Sequence, residues 1–225
     1  MEFNRYAIYF TPQAGTELHA FGAQVLGWDP VAGARVAHLD LPGVDVAAIT
    51  ATPRKYGFHA TIKPPFRLLQ GTSPDEVTKT LAALAGRLPS VTVPGLALAR
   101  LGQFLALVPV GDASGLSALA ARAVVELDRF RAPASEEELA RRRAARLTRA
   151  QEDNLVKWGY PYVIDEFRFH MTLSGRLEDP AAVLEALRPR VQALDLSPFT
   201  LASLTLMGED FDGMFHEIQR FELTA

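Results

Sequence analysis

YGFHATIKPPF (residues 56–66) and FRFHMTLSGRL (residues 167–177) decide the reading of this chain. In the first, Phe58, Ala60 and Ile62 alternate with His59, Thr61 and Lys63. In the second, Phe169, Met171 and Leu173 alternate with Arg168, His170, Thr172 and Ser174. Period-two alternation puts each apolar trio on one face of a strand and each polar series on the other. Pro64-Pro65 is expected to end the first strand and Ser174-Gly175 the second.

Each segment leads into a helix that opens in the same way. Ser73-Pro74-Asp75-Glu76 offers an N-cap, a proline in the first turn and a capping-box glutamate, and Asp179-Pro180 repeats the cap and proline. Two strand-like stretches follow each helix, near 91–99 and 103–109 and near 198–207 and 214–223. The histidines lie 111 residues apart and the helix prolines 106 apart. Such near-constant spacing predicts two similar units of about 100 residues in one pseudo-duplicated, bilobal α+β domain spanning residues 1–225.

Around these units, RYAIYF (5–10) reads as a strand, 15–26 as a helix ended by Gly27, and 115–130 and 136–153 as two helices. The last of these is the most basic spot of the chain, with Arg141, Arg142, Arg143, Arg146 and Arg149. It reads as a solvated face laced with i,i+4 pairs, and an RNA-phosphate patch is the sharper alternative.

The 225 residues are 48% apolar and 22% charged, a globular balance that excludes a disordered or collagenous chain. The absence of cysteine excludes disulfides, thiolate metal sites and a cysteine nucleophile. A net charge of −3 supplies no global field for wrapping a nucleic acid, so a nucleic-acid partner is not favoured. The amino terminus lacks the pattern of a signal peptide, and no apolar run approaches the roughly 18 residues of a membrane span. A cytoplasmic location away from membranes is expected. Oligomeric state is not legible.

A lone His-x-Thr is a weak motif. Two of them, on similar strands in repeated units, place His59 with Thr61 and His170 with Thr172 on polar faces that a pseudo-twofold packing would bring to one cleft. Splitting a phosphodiester needs one proton removed from the attacking oxygen and one delivered to the leaving oxygen. A neutral imidazole and an imidazolium divide those tasks near neutral pH. Threonine hydroxyls can donate to the non-bridging oxygens, and Lys63 and Arg168 are candidate phosphate contacts. Neither metal nor cofactor is required. Of Tyr6 and Tyr9, on opposite faces of the first strand, one can face the cleft, and Tyr6 is carried as the binding candidate. Tyr56, Trp158, Tyr160 and Tyr162 are candidates to stack on a sugar or base, with core packing the plainer reading. His19, His38 and His216 lack the motif, while Asp165 and Glu166 could orient a histidine.

The pattern resembles the 2H phosphoesterase superfamily, named for two H-x-T/S motifs. RYAIYFTP, LGWDP, YGFHATIKPPF and WGYPYVIDEFRFHMTLSGRL together resemble one branch of it, from Arg5 to the last strands. The resemblance implies two antiparallel sheets flanking a central cleft with helices outside, and metal-independent hydrolysis of a small, often cyclic, phosphodiester. It makes His59, Thr61, His170 and Thr172 the catalytic set. Members of this branch are often encoded beside genes for phosphonate breakdown. An RNA-processing phosphodiesterase and a non-catalytic phosphometabolite-binding protein are the rival expectations.

Overall fold

The computed structural model describes residues 2–225. Its strands in chain order are β1 (Arg5–Phe10), β2 (Trp28–Asp29), β3 (Ala34–Arg35), β4 (Ala60–Phe66), β5 (Val91–Val93), β6 (Gly95–Leu101), β7 (Phe104–Val110), β8 (Met171–Thr172), β9 (Phe199–Leu201), β10 (Ser203–Glu209) and β11 (Phe215–Glu222). The helices are α1 (Glu17–Leu26), α2 (Val46–Ile49), α3 (Pro74–Ala85), α4 (Ser114–Leu127), α5 (Glu136–Arg143), α6 (Arg149–Trp158) and α7 (Pro180–Gln192). This is the mixed α+β architecture expected.

Caps chosen in the sequence set the helix starts. Ser73 and Glu76 form a reciprocal capping box at α3, with Pro74 in the first turn, and Asp179 caps α7 ahead of Pro180. The single helix expected over 136–153 is two. Arg146 takes a left-handed φ of 54°, the chain turns there, and Thr148 caps a fresh helix with Gln151.

The sheets run β11-β10-β1-β4 and β8-β7-β6, antiparallel throughout. The two expected sheets share an edge, because β4 meets β8 through the pair Ala60–Met171. Ala60 and Met171 occupy equivalent places in the two units, each just after its motif histidine. A residue that faces its own equivalent across an antiparallel pair lies on a twofold axis. The pair β5–β9 repeats the relation, with Thr92 opposite Thr200 and their hydroxyls 2.9 Å apart. The duplication is therefore a spatial one.

The units exchange hairpins. The β6–β7 hairpin of the first unit joins β8 of the second, while β10–β11 of the second joins β1 beside β4 of the first. Helices α3 and α4 lie against β10, β11 and β4, and α7 against β6 and β7. The apolar trios Phe58, Ala60, Ile62 and Phe169, Met171, Leu173 all face this helix-covered core. No helix among the described residues is long and apolar enough to cross a membrane.

Strand β4 runs through Pro64 and Pro65 to Phe66 instead of ending at them. Its ladder with β1 slips, pairing Tyr6 with Phe66, Ile8 with Lys63 and Tyr9 with Thr61. Extra residues on β4 bulge out of the ladder, and a bulge leaves backbone N–H groups unpaired, so prolines fit there.

Candidate active site

The face of the sheet opposite the helix core opens into a cavity of about 1090 Å³. His59, Thr61 and Thr172 line it, along with Tyr9, Tyr56 and Tyr160. Extending the Ala60–Met171 register by one residue sets His59 opposite Thr172 and Thr61 opposite His170. The four motif side chains thus flank the twofold pair on one face. His170 stands at the edge of the cavity rather than in its wall, half-buried, with its ring 5.9 Å from that of Phe104.

The two imidazoles are held alike. His59 Nδ1 is 2.9 Å from the carbonyl oxygen of Gly57, and His170 Nδ1 is 2.8 Å from that of Arg168. A carbonyl oxygen only accepts, so each Nδ1 carries the hydrogen and each neutral ring leaves Nε2 as the basic nitrogen. At His59 that nitrogen lies 3.0 Å from the Thr61 hydroxyl. Gly57 presents its carbonyl from a positive φ of 68°, and a Cβ there would lie 2.7 Å from Pro30, so this position favours glycine on two counts.

The environments of the two rings differ. Tyr9 stacks on His59 with ring centres 3.8 Å apart, and Tyr56 tilts against it at 6.0 Å. Burial under these rings lowers the His59 pKa to about 4, against the opposing hydrogen bond to Gly57 and with a smaller push from the His170 charge. His59 is therefore neutral at pH 7. Tyr9 is itself buried beside Phe215 and Met207, and burial drives its phenol pKa well upward.

Three sequence candidates are placed away from the cavity. Lys63 pairs with Ile8, and partners across a ladder share a face, so the bulge turns it into the core. It is 2% exposed, its ammonium donates to the Val124 carbonyl of α4 at 3.2 Å, and Asp128 lies 3.5 Å away. Burial lowers its pKa to about 8. Tyr6 packs in the main core with Ile8 and Phe10, so Tyr9 takes the place assigned to it. Arg168 is exposed, and its guanidinium folds back onto the carbonyls of Asp165 and Phe167.

The remaining histidines are paired elsewhere, His19 with Asp29, His38 with the Val25 carbonyl and His216 with Asp210. Glu166 accepts from Gln151. Sequence reasoning missed Arg5, which lies in the cavity wall paired with Glu209. It also left α5 as a solvated face, whereas Arg141 and Arg142 of that helix line the cavity. Six wall residues are Arg or Lys and two are Glu, a cationic lining in a chain of net charge −3.

Residues 61–216 match the model of a family described as a protein of unknown function, DUF1045. A curated relative, the ribose 1,5-bisphosphate phosphokinase PhnN of Janthinobacterium sp. (strain Marseille), is 35% identical over 98% of this chain and 51% of its own length. Its namesake from Laribacter hongkongensis (strain HLHK9) is 36% identical over 78% of this chain and 41% of its own. The chain thus spans about half the length of the curated relatives it matches. Similar solved structures include a phosphoesterase, with a TM-score of 0.45 and 16% identity, and E. coli LigT complexed with ATP, with 0.46 and 17%, each covering 100% of both chains. These structural likenesses are too distant to bear on activity.

Proposed function

The chain belongs to the DUF1045 family, and from the site it carries we propose that it is a phosphodiesterase in which His59 and His170 share general acid–base work. The observation that supports this most is the repeated one: two imidazoles, each fixed through Nδ1 to a carbonyl two residues back, on strands related by a twofold axis.

The asymmetry between them suggests the division of labour. His59, held neutral beneath Tyr9, takes a proton from the attacking water through Nε2. The water oxygen bonds to phosphorus, the ester P–O bond breaks, and His170, entering the reaction as imidazolium, gives the Nε2 proton to the leaving oxygen. Thr61 and Thr172 donate to the non-bridging oxygens as charge builds there. In a cyclic diester the leaving oxygen stays attached as a hydroxyl, and the product is a phosphomonoester.

The curated relatives are named for ribose 1,5-bisphosphate. A cyclic phosphodiester that bridges O1 and O2 of ribose 5-phosphate opens to that compound when the P–O2 bond breaks. We take such a ribose cyclic phosphate, within phosphonate metabolism, as the substrate to test first. The cationic wall favours an RNA end carrying a 2′,3′-cyclic phosphate as the second reading. Phosphorus NMR on a panel of ribose cyclic phosphates, nucleoside 2′,3′-cyclic phosphates and short RNAs tests both. Appearance of a phosphomonoester from the first class is expected. Exclusive turnover of RNA ends would select the second reading, and binding with no turnover of any of them would return the protein to a phosphometabolite-binding role.

A further inference from the structure

Helix α5 has no buried residue among its eight, yet it sits at the wall of the catalytic cleft. A helix that buries no apolar face gains little from packing and is kept in place by polar contacts. Those contacts are a two-pronged Arg67–Glu138 pair at 3.0 and 2.7 Å, Arg143–Glu152 at 2.7 Å, and the Arg142 guanidinium 4.5 Å over the Tyr160 ring. They hold the helix so that Arg141 and Arg142 face the cavity while Arg143 is engaged with α6.

Arg141 makes no hydrogen bond or ion pair among the described residues, and Arg142 has the Tyr160 face but no ion-paired carboxylate. By contrast Arg5 and Arg67, also in the wall, are already neutralised by Glu209 and Glu138. Two guanidiniums side by side in the cavity wall, Arg141 without a hydrogen-bonding partner and Arg142 set against Tyr160 within reach of the Glu138 charge but in no direct ion pair, match a planar-forked site for an oxyanion. The cavity, at about 1090 Å³, also exceeds what a lone cyclic phosphate fills.

We propose that Arg141 and Arg142 form a second phosphate-binding pole of the cleft, selecting phosphodiesters that carry another phosphoryl group about one sugar away from the reacting one. This rests on the phosphodiesterase reading above for its first phosphate, and the second can come from a sugar phosphate or from the next nucleotide of an RNA end.

The test compares kcat/KM on two substrate pairs: ribose 1,2-cyclic phosphate with and without a 5-phosphate, and a nucleoside 2′,3′-cyclic phosphate with and without a preceding nucleotide. Enzymes are wild type, the double variant Arg141→Gln with Arg142→Gln, and the double variant Arg122→Gln with Arg188→Gln as a charge-matched control on exposed helix faces outside the cavity. In wild type the extra phosphate should raise kcat/KM in one pair, which names its source. The double variant should lose about tenfold or more of that preference, as expected for lost charge-assisted hydrogen bonds, and the control should keep it. No preference in wild type, or equal loss in the control, overturns the proposal. If wild type turns over no member of either pair, the phosphodiesterase reading fails and calorimetry with ribose 1,5-bisphosphate decides this one. Binding at least about tenfold weaker in the double variant supports the pole; equal affinity, or no binding to wild type, overturns it.

Discussion

At the scale of single residues, His59 is distinguished from its twin by what lies on its face. The stacked Tyr9 ring removes water from the imidazole and holds its pKa near 4. A general base works only while neutral, so kcat/KM should fall on the acid side around that value. In Tyr9→Leu, with water readmitted, the acid limb should move up toward the ordinary histidine value of about 6.5; an unmoved limb in the pH profile would contradict this role for Tyr9. Lys63 offers a second test. Its folded pKa of about 8 lies below the ordinary lysine value of 10.5, so between those values the unfolded chain holds more protons and stability rises with pH. Lys63→Met should remove that rise, seen in denaturation midpoints between pH 8 and 10.5, while an unchanged slope would show the burial penalty to be absent. His59, Thr61, His170 and Thr172 were legible because alternation assigns a side chain to a face. Lys63 was misassigned because slipped pairing in β4 against β1 reverses its alternation, and no residue type announces such a slip in advance. Tyr6 was misassigned because the regular alternation of β1 sets Tyr6 and Tyr9 on opposite faces without saying which face meets the cleft.

At the scale of elements, the turn before β4 aims the first histidine. Gly57 combines a left-handed φ with close approach to Pro30 and supplies the carbonyl that fixes His59 Nδ1. Gly57→Ala should cost roughly 1–3 kcal/mol of stability and depress turnover with it. Chemical denaturation and kinetics read both, and wild-type stability in the variant would refute the strain. Capped starts such as those of α3 and α7 were readable, since Ser73-Pro74 and Asp179-Pro180 carry their own hydrogen-bonding instructions. The break between α5 and α6 was not. EEELARRRAARLTRAQED keeps helix-forming residues across Arg146, and only the Thr148–Gln151 box hints at a second start.

At the scale of the molecule, the repeat was legible from spacing, but the hairpin exchange was not, because sequence order says nothing about which unit's sheet a hairpin joins. Exchange makes each unit's sheet depend on strands of the other. Residues 1–111 and 112–225 expressed separately should show no cooperative unfolding, and should regain it when co-expressed; cooperative unfolding of either fragment alone would deny the dependence. On the proposed mechanism the twofold-related histidines act as one machine rather than as two additive groups. The measurement that tests this most directly is kcat/KM in EDTA, on the best cyclic phosphodiester, for wild type, His59→Ala, His170→Ala and the double variant. Each single change should lower it by about 10²–10⁴-fold, with the double variant little worse than the singles. Retention of near wild-type activity by either single variant, or activity that vanishes in EDTA and returns with zinc, would contradict the two-histidine account.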